Sequence, residues 1–403
     1  MICVDKLQEV IDFFKDNCWL KDSAETLHNA ENLQKKAVAK LEDVFRHTLT
    51  ENSNIVDPSQ LLKLLSQISE SSAEIQKIVS ISCANLEAKP EEECDTKTKI
   101  ITLPNLISPA SFFYLHEVAK RMIFSGYTEE CLRVYREVRS SILEHMLQKV
   151  GIQNLQKDGT QKDSLDSADV RVSEWPKHLQ LSILLLFAGE QKLCDRIFDH
   201  LDPHRSRCFV SVVETSMCAL LNFAEAVTAS KRHSEFFFRI LDMYNAMDVI
   251  LPEVKNMFQE KESVKLYQRY DSTLHMLAQT SLQTFHTLEQ TVLQILNVHE
   301  LMNESRQMVG TGLSRSLLKE RLKLFNRTVD ELYRKQMQWT VHDPQLRKAL
   351  QKAVVESVVP TYGLFLKRFS EGLDRRKNDQ KYIKYNVEEL VHLLKELFEG
   401  KTS

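Results

Sequence analysis

The chain has 403 residues and a net charge of −3, with only nine glycines, nine prolines and eight cysteines. Glycine, at about 2%, is far below the ~7% of average proteins, and strong helix formers abound, so the composition predicts an all-α fold and disfavours a sheet. The cysteines form no Cys-x-x-Cys pair, which excludes a recognisable zinc or disulfide framework and fits a reducing compartment.

The first predicted unit is an N-terminal helical bundle over residues 1–95. Its second helix is indicated by an apolar stripe formed by Ala30, Leu33, Ala37, Leu41, Val44 and Phe45. Asp57 followed by Pro58 predicts the start of a third helix, because Asp is a favoured N-cap and Pro fits the first helical position. Residues 87–109 hold three prolines and an acidic run, which predicts a linker.

Central helical bundles are predicted over residues 110–260. One helix is indicated by a core face made of Cys131, Val134, Val138, Ile142, Met146 and Val150. Gly151 predicts the end of that helix, and the polar residues 153–173 predict a loop. Residues 175–254 are the most apolar stretch of the chain, and Pro252 predicts where its last helix ends.

The remainder of the chain is predicted to be helical as well. Residues 261–312 predict a shortened helical connector, and residues 313–403 predict a basic C-terminal helical bundle. The apolar pattern in that bundle indicates helices over 313–339, 344–359 and 362–369. Asp343 is placed as N-cap of the second of these helices.

The last helix is the best-marked element of the sequence. Asn386 is placed as its N-cap, Glu389 as the reciprocal half of a capping box, and Gly400 as its stop. Its apolar stripe is formed by Val387, Leu390, Val391, Leu394, Leu397 and Phe398. The stripe predicts a helix held against the bundle, with the basic residues before it left in water.

Positive charge is concentrated at the C-terminal end. Residues 313–403 hold 19 Lys and Arg against 12 Asp and Glu, a net charge of +7, whereas the rest of the chain has a net charge of −10. Seven cations precede the last helix: Lys367, Arg368, Arg375, Arg376, Lys377, Lys381 and Lys384. They predict a docking surface for an anion, since each cation near an anionic membrane leaflet contributes ~1 kcal/mol. An ordinary solvated basic face is the alternative.

Other kinds of site find little support. His200 and His204 could share a zinc ion only on one helix face, which Pro203 prevents, so a solvated loop is the simpler interpretation. No phosphate-binding glycine loop or nucleophile elbow is recognisable, so neither an enzyme nor a cofactor is predicted. The chain has no nucleic-acid reader motif, so nucleic acid is the less favoured anionic partner. The apolar run 181–188 is far shorter than the ~20 residues of a membrane span, so any membrane contact is predicted to be peripheral.

Several stretches, in order along the chain, resemble the seventy-kilodalton subunit of the exocyst vesicle-tethering complex in its plant-type form. They are residues 27–33, 40–46, 126–140, 186–198, 223–227, 238–244, 318–326, 344–347 and 381–385. The last of them reads Lys-Tyr-Ile-Lys-Tyr. The chain begins inside the family pattern, and its region between Leu251 and Leu313 is shorter than is usual in the family.

The resemblance implies an elongated rod of consecutively stacked helical bundles, without catalysis. It implies a cytoplasmic subunit, peripheral at the plasma membrane, that tethers secretory vesicles there before fusion. Its partners would be other exocyst subunits, Rho-type small GTPases and an anionic phosphoinositide membrane surface. In the family, basic residues of the C-terminal bundle bind phosphatidylinositol bisphosphate, and Lys381 and Lys384 match two of the positions used. The other five cations are added to the candidate site on charge alone.

Two other functions stay open on the sequence. One is a shortened protein-interaction adaptor of the same family, acting outside the full complex. The other is an unrelated helical scaffold with an ordinary basic surface. A pull-down of the other tethering subunits separates the tether from the adaptor.

Overall fold

The structure, a computed structural model of the protein, describes nine stretches of the chain and the single residues 19 and 103. The stretches are residues 2–17, 23–69, 105–151, 165–201, 203–230, 237–295, 315–336, 339–373 and 382–400. The regular elements in these stretches are helices, which confirms the predicted all-α fold. Most of the predicted linker 87–109 lies outside the described residues.

The helices follow one another along the whole described chain. Up to the middle they are α1 (Ile2–Asp16), α2 (Ser23–Glu51), α3 (Pro58–Ser69), α4 (Phe112–Phe124), α5 (Thr128–Val150), α6 (Leu165–Leu181) and α7 (Ala188–Ile197). A 3₁₀ turn, Pro109–Ser111, precedes α4, and a π-helical stretch, Ser182–Phe187, joins α6 to α7. The later helices are α8 (His204–Ala229), α9 (Phe237–Met257), α10 (Val264–Ile295), α11 (Arg315–Gln336), α12 (Pro344–Leu373) and α13 (Val387–Lys395).

The chain divides into two compact units. The first contains residues 1–158, 174–223 and 250–271, and the second contains residues 159–173, 224–249 and 272–403. The division into four consecutive blocks, 1–95, 110–260, 261–312 and 313–403, stays a prediction.

In the first unit α1 packs on α2, and α2 packs on α4 and α5. The face that α2 buries is formed by Ser23, Ala30, Gln34, Val38, Leu41, Phe45 and Leu49. The prediction that Leu33 belongs to this face is wrong, because its side chain is 55% exposed. Gln34 and Val38 take the inward positions, four residues apart, so the buried stripe includes a polar residue that an apolar pattern cannot reveal.

In the second unit α12 packs on both α11 and α13. Phe237 stacks on Phe285 with ring centroids 5.6 Å apart, and Phe398 meets both rings edge-on. Phe325 of α11 stacks on Tyr362 of α12 at 4.6 Å. Because both of these last two side chains are fully buried, the stacked pair fixes α11 against α12.

Two prolines at predicted helix boundaries, Pro252 as a predicted end and Pro360 in the gap between two predicted helices, lie inside helices. Pro252 is in α9, which continues to Met257, and Pro360 is in α12, which is one helix where two were predicted. A proline inside a helix costs ~3 kcal/mol. Burial beyond each proline offsets this cost, since a buried large side chain contributes ~1.5–3 kcal/mol. Phe258 follows Pro252, and Tyr362 and Phe365 follow Pro360, all at most 2% exposed.

The loop predicted over residues 153–173 is wrong at its C-terminal end, because α6 begins at Leu165. Val172 and Trp175 are completely buried, and the Trp175 indole N–H donates to the Leu220 carbonyl oxygen at 3.0 Å. Packing of these two side chains outweighs the weak helix propensity of the Asp and Ser residues around them.

The last helix begins as predicted and ends earlier. The Asn386 side chain accepts from the Glu389 N–H and the Glu389 carboxylate accepts from the Asn386 N–H, which confirms the capping box. The helix ends at Lys395 rather than just before Gly400. Phe398 has a φ of 65° and Gly400 a φ of 77°, so the chain turns sharply after the helix and buries the Phe398 ring.

Of the helices in the described part of the chain, α8 alone is long and apolar enough to cross a membrane. Half of its most apolar stretch is buried within the fold. A core helix meets the same criteria of length and composition, and the burial of Val212, Val213 and Met217 in α8 is typical of one.

Candidate anion-binding site

The segment 382–386, which contains most of the Lys-Tyr-Ile-Lys-Tyr motif, is anchored through its backbone to two helices. The Asn326 side chain of α11 donates to the Tyr382 carbonyl oxygen at 3.0 Å. The Tyr362 hydroxyl of α12 donates to the Tyr385 carbonyl oxygen at 2.7 Å. These bonds satisfy carbonyl groups that no helix or strand pairs, and they fix the segment immediately before the cap of α13.

Lys384 is held by a carboxylate of the same unit. Its Nζ lies 2.6 Å from both Oδ1 and Oδ2 of Asp330 in α11. The Tyr385 hydroxyl donates to Asp330 Oδ1, and Lys384 Nζ lies 5.1 Å from the centre of the Tyr385 ring. About half of the Lys384 side chain, 49%, remains exposed. The motif lysine therefore presents a partly neutralised ammonium to solvent.

The ionisation of this pair follows from its hydrogen bonds. The bond to Asp330 raises the pKa of the Lys384 ammonium, so the lysine is fully charged at physiological pH. Burial opposes ionisation of Asp330, but the hydrogen bonds from Lys384 and Tyr385 outweigh it and hold the pKa of that carboxyl below its usual value. Both groups are charged, and the contact is an ion pair.

Two lysines that the sequence analysis did not include lie against the same segment. Lys319 and Lys323 of α11 place their Nζ atoms 5.1 and 5.3 Å from the centre of the Tyr382 ring. Residues four apart share one face of a helix, so a lysine pair at this spacing was a visible signal. The sequence could not reveal that this face of α11 contacts Tyr382 of the motif.

The predicted cations are described to different extents. Lys367 lies in α12 with an exposed side chain, five residues after Tyr362 and thus ~7.5 Å further along the helix axis. The backbone of Arg368 belongs to α12, but its side chain lies outside the described part. Four more of the predicted cations lie outside the described part of the chain: Arg375, Arg376, Lys377 and Lys381. The seven-residue site stays a prediction.

Chemistry other than anion binding has few candidates. Within the residues that the structure describes, no group of three or more His, Cys, Asp or Glu side chains could hold a metal ion. His200, considered for zinc, has a side chain 93% exposed and lies 3.4 Å from Asp199. Burial raises the pKa of the Cys131 thiol to about 12, so it is not a nucleophile at neutral pH.

Two family models match the chain. The model for the C-terminal part of the Exo70 exocyst complex subunit matches residues 173–295 and 290–396, which is more than half of the chain. The model for the N-terminal part of exocyst complex component Exo70 matches residues 1–51.

Individual relatives agree with the family models. The chain is 27% identical to exocyst complex component EXO70A1 of Arabidopsis thaliana over 537 residues, covering 99% of this chain and 83% of the relative. It is 24% identical to EXO70A3 of the same plant, covering 74% of this chain and 73% of the relative. Among solved structures, S. cerevisiae Exo70p has a TM-score of 0.46 at 12% identity and covers 98% of this chain and 95% of that chain. The alignment with EXO70A1 is longer than the 403 residues of this chain. EXO70A1 therefore has internal segments that this chain lacks.

Proposed function

Because the chain belongs to the Exo70 family of exocyst subunits, which is a family of non-enzymatic tethering proteins, we propose that it helps to dock secretory vesicles at the plasma membrane. Its C-terminal end binds phosphoinositide headgroups there, and the protein is peripheral to the membrane. Its protein partners are other exocyst subunits. Rho-type small GTPases stay a prediction from the family resemblance.

The observation that carries the lipid part of the proposal is the arrangement around segment 382–386. Lys384 projects from a segment anchored to α11 and α12, and Lys319 and Lys323 reach the same segment from α11. The ammonium groups of Lys319 and Lys323 both lie near the Tyr382 ring, so two positive charges are close together. Clustered phosphates are the ligands that gain most from such an arrangement, because one headgroup can contact several cations.

The expected affinity is moderate. A cation near an anionic leaflet contributes ~1 kcal/mol, so three or four cations together give ~3–4 kcal/mol. That is enough for reversible attachment, and vesicle docking requires a reversible contact. Lys384 contributes less than a free lysine would, because its ion pair with Asp330 must loosen before a phosphate can take its place.

Charge reversal at the motif tests the lipid site. We expect Lys381→Glu with Lys384→Glu to lower sedimentation with vesicles that contain phosphatidylinositol bisphosphate by at least about tenfold, because two attractions become two repulsions. The matched control is Lys348→Glu with Lys352→Glu, the same charge change at exposed positions of α12. Those positions lie ~15–21 Å along the helix axis from Tyr362. Equal loss in both variants, or no loss in either, would contradict a localised site.

The two lysines of α11 make a second, independent test. Lys319→Glu with Lys323→Glu should reduce vesicle binding to a similar degree, because these side chains face the same segment. Circular dichroism of each variant checks that the helices remain folded. If this variant binds vesicles as tightly as the wild type, Lys319 and Lys323 do not belong to the site, and the proposal keeps only the motif lysines.

A pull-down tests the tethering part of the proposal. The full chain, immobilised under native conditions, should retain other exocyst subunits from a plant extract. Retention of none of them by the folded chain would favour the adaptor acting outside the complex. Lipid binding and subunit binding are separate measurements, so one can fail without the other.

A further inference from the structure

The ammonium group of Lys384 is already occupied by a carboxylate of its own chain. Both oxygens of Asp330 lie 2.6 Å from it, and Asp330 also accepts from the Tyr385 hydroxyl. We propose that Asp330 is a competitor built into the anion site, which holds Lys384 in the unbound protein and lowers the affinity for phosphate. This inference rests on the proposed function, since it concerns the regulation of the same site.

The pair lies at the surface, where exchange is possible. The side chains of Lys384 and Asp330 are 49% and 35% exposed. An ammonium has three N–H donors, and the two carboxylate oxygens and the Tyr385 hydroxyl can engage all of them. A phosphate that approaches Lys384 from solvent must therefore take the place of one of these oxygens.

The two competing contacts are of similar strength. An exposed ion pair and a cation near an anionic leaflet are each worth up to about a factor of five in an equilibrium constant. Because neither contact dominates, the carboxylate determines whether Lys384 adds to the affinity or contributes nothing. The competition persists at physiological pH, since the hydrogen bonds from Lys384 and Tyr385 keep Asp330 ionised.

Asp330 keeps a hydrogen-bond partner when Lys384 binds a phosphate instead. The Tyr385 hydroxyl still donates to Asp330, and Tyr385 itself is held at its backbone by Tyr362. The Asp330 side chain is 35% exposed, so water can hydrate its other carboxylate oxygen. The segment therefore keeps its place while the lysine changes partner.

The test is to remove the charge of Asp330 and keep its shape. Asp330→Asn retains an oxygen that can accept from Tyr385, and we expect it to bind vesicles containing phosphatidylinositol bisphosphate about fivefold more tightly than the wild type. The gain should disappear in a Lys384→Gln background, because the released lysine is absent. If Asp330→Asn does not fold, Asp330→Ser removes the same charge.

The matched control is the neighbouring carboxylate. Glu331 of α11 forms its own pair with Arg327, at 3.1 Å, and Glu331→Gln makes the same change in net charge one residue further along. We expect its affinity to stay within about twofold of the wild type, as for an ordinary exposed pair. An increase equal to that of Asp330→Asn would show a general charge effect and overturn the inference.

The remaining outcomes separate the inference from the proposed function. If the wild type binds the vesicles and Asp330→Asn binds equally or more weakly, Asp330 positions Lys384 and does not compete, so the inference fails and the proposed function stands. If neither protein binds, both fail. If only Asp330→Asn binds, the carboxylate blocks the site completely, so the inference is supported and the proposed lipid binding by the wild-type protein fails.

Discussion

At the residue scale, an ion pair lies completely buried in the first unit. Arg139 of α5 and Glu190 of α7 are completely buried, with the Arg139 Nε 3.1 Å from a Glu190 oxygen and a second contact from its Nη2. Arg139 Nη1 also donates to the Ser53 hydroxyl at 2.7 Å. A buried charge is tolerated only when its donors and acceptors are matched, so this network specifies how α5, α7 and the end of α2 meet.

Breaking the pair on one side should destabilise the protein strongly. Arg139→Met leaves the Glu190 carboxylate buried without a partner, and we expect a loss of about 3–5 kcal/mol in the free energy of unfolding. Urea denaturation followed by circular dichroism measures it. The double variant Arg139→Met with Glu190→Leu should recover most of the loss. Arg133→Met removes two pairs near the surface, with Glu42 and Glu137, and should cost about 1 kcal/mol or less. A single-variant loss no larger than that of Arg133→Met would contradict the prediction.

A second residue-scale effect concerns Asp242 of α9 in the second unit. Burial raises the pKa of its carboxyl to about 6, and Arg239, 3.9 Å away, only partly opposes this. The folded state thus binds a proton more tightly than the unfolded chain. That contribution to stability is present at acidic pH and is lost as the pH rises through about 6.

Asp242→Asn should therefore stabilise the protein at pH 7 and leave stability at pH 4 nearly unchanged. A third of the side chain is in water, so solvent screening reduces the expected gain to about 1 kcal/mol. Urea denaturation at the two pH values measures the difference, with Glu356→Gln at an exposed site of α12 as the control. Equal effects of Asp242→Asn at both pH values would show that titration of this carboxyl does not matter.

At the scale of the element, the start of α13 fixes where the motif segment ends. The reciprocal Asn386 and Glu389 bonds, at 2.7 and 2.8 Å, satisfy two N–H groups that a helix start leaves unpaired. Leu390 and Leu394 are buried against α12 in the same turns. The cap and the buried face act together, so α13 begins at Val387, directly after its cap Asn386, and Lys384 stays in the preceding segment.

Removing the cap should loosen this element. Asn386→Ala is expected to cost about 1 kcal/mol of stability, whereas Asn386→Asp should be nearly neutral because Asp caps equally well. Thermal unfolding measures both variants. Vesicle binding should fall in the alanine variant, since the segment that carries Lys384 loses one of its anchors. Equal melting temperatures for the two variants would count against the cap.

At the scale of the whole molecule, the distribution of charge along the chain matters more than the total. The net charge is only −3, but residues 313–403 carry a net +7 and the rest a net −10. An anionic surface attracts the first group and repels the second. The C-terminal end is thus a large stretch of the sequence whose net charge suits an anionic leaflet.

Membrane attachment should therefore depend strongly on salt. Surface charges are screened over ~8 Å at physiological ionic strength and ~3 Å at 1 M, so raising the salt from 0.1 to 0.5 M should weaken vesicle binding about tenfold. Sedimentation with vesicles of neutral lipid gives the baseline. Binding that is unchanged by salt would indicate contact through apolar surface instead of charge.

The sequence by itself determined the helical fold, the N-caps of α12 and α13, and the family. These depend on local signals, such as the Asp343 and Asn386 caps, on the scarcity of glycine, and on short motifs that recur in order. It did not determine whether Pro252 and Pro360 end their helices, because that depends on side chains buried further along. Nor could it show that Asp330, 54 residues before Lys384, is its partner. Only tertiary structure brings residues so far apart into contact, and an ion pair depends on distance in space rather than in sequence.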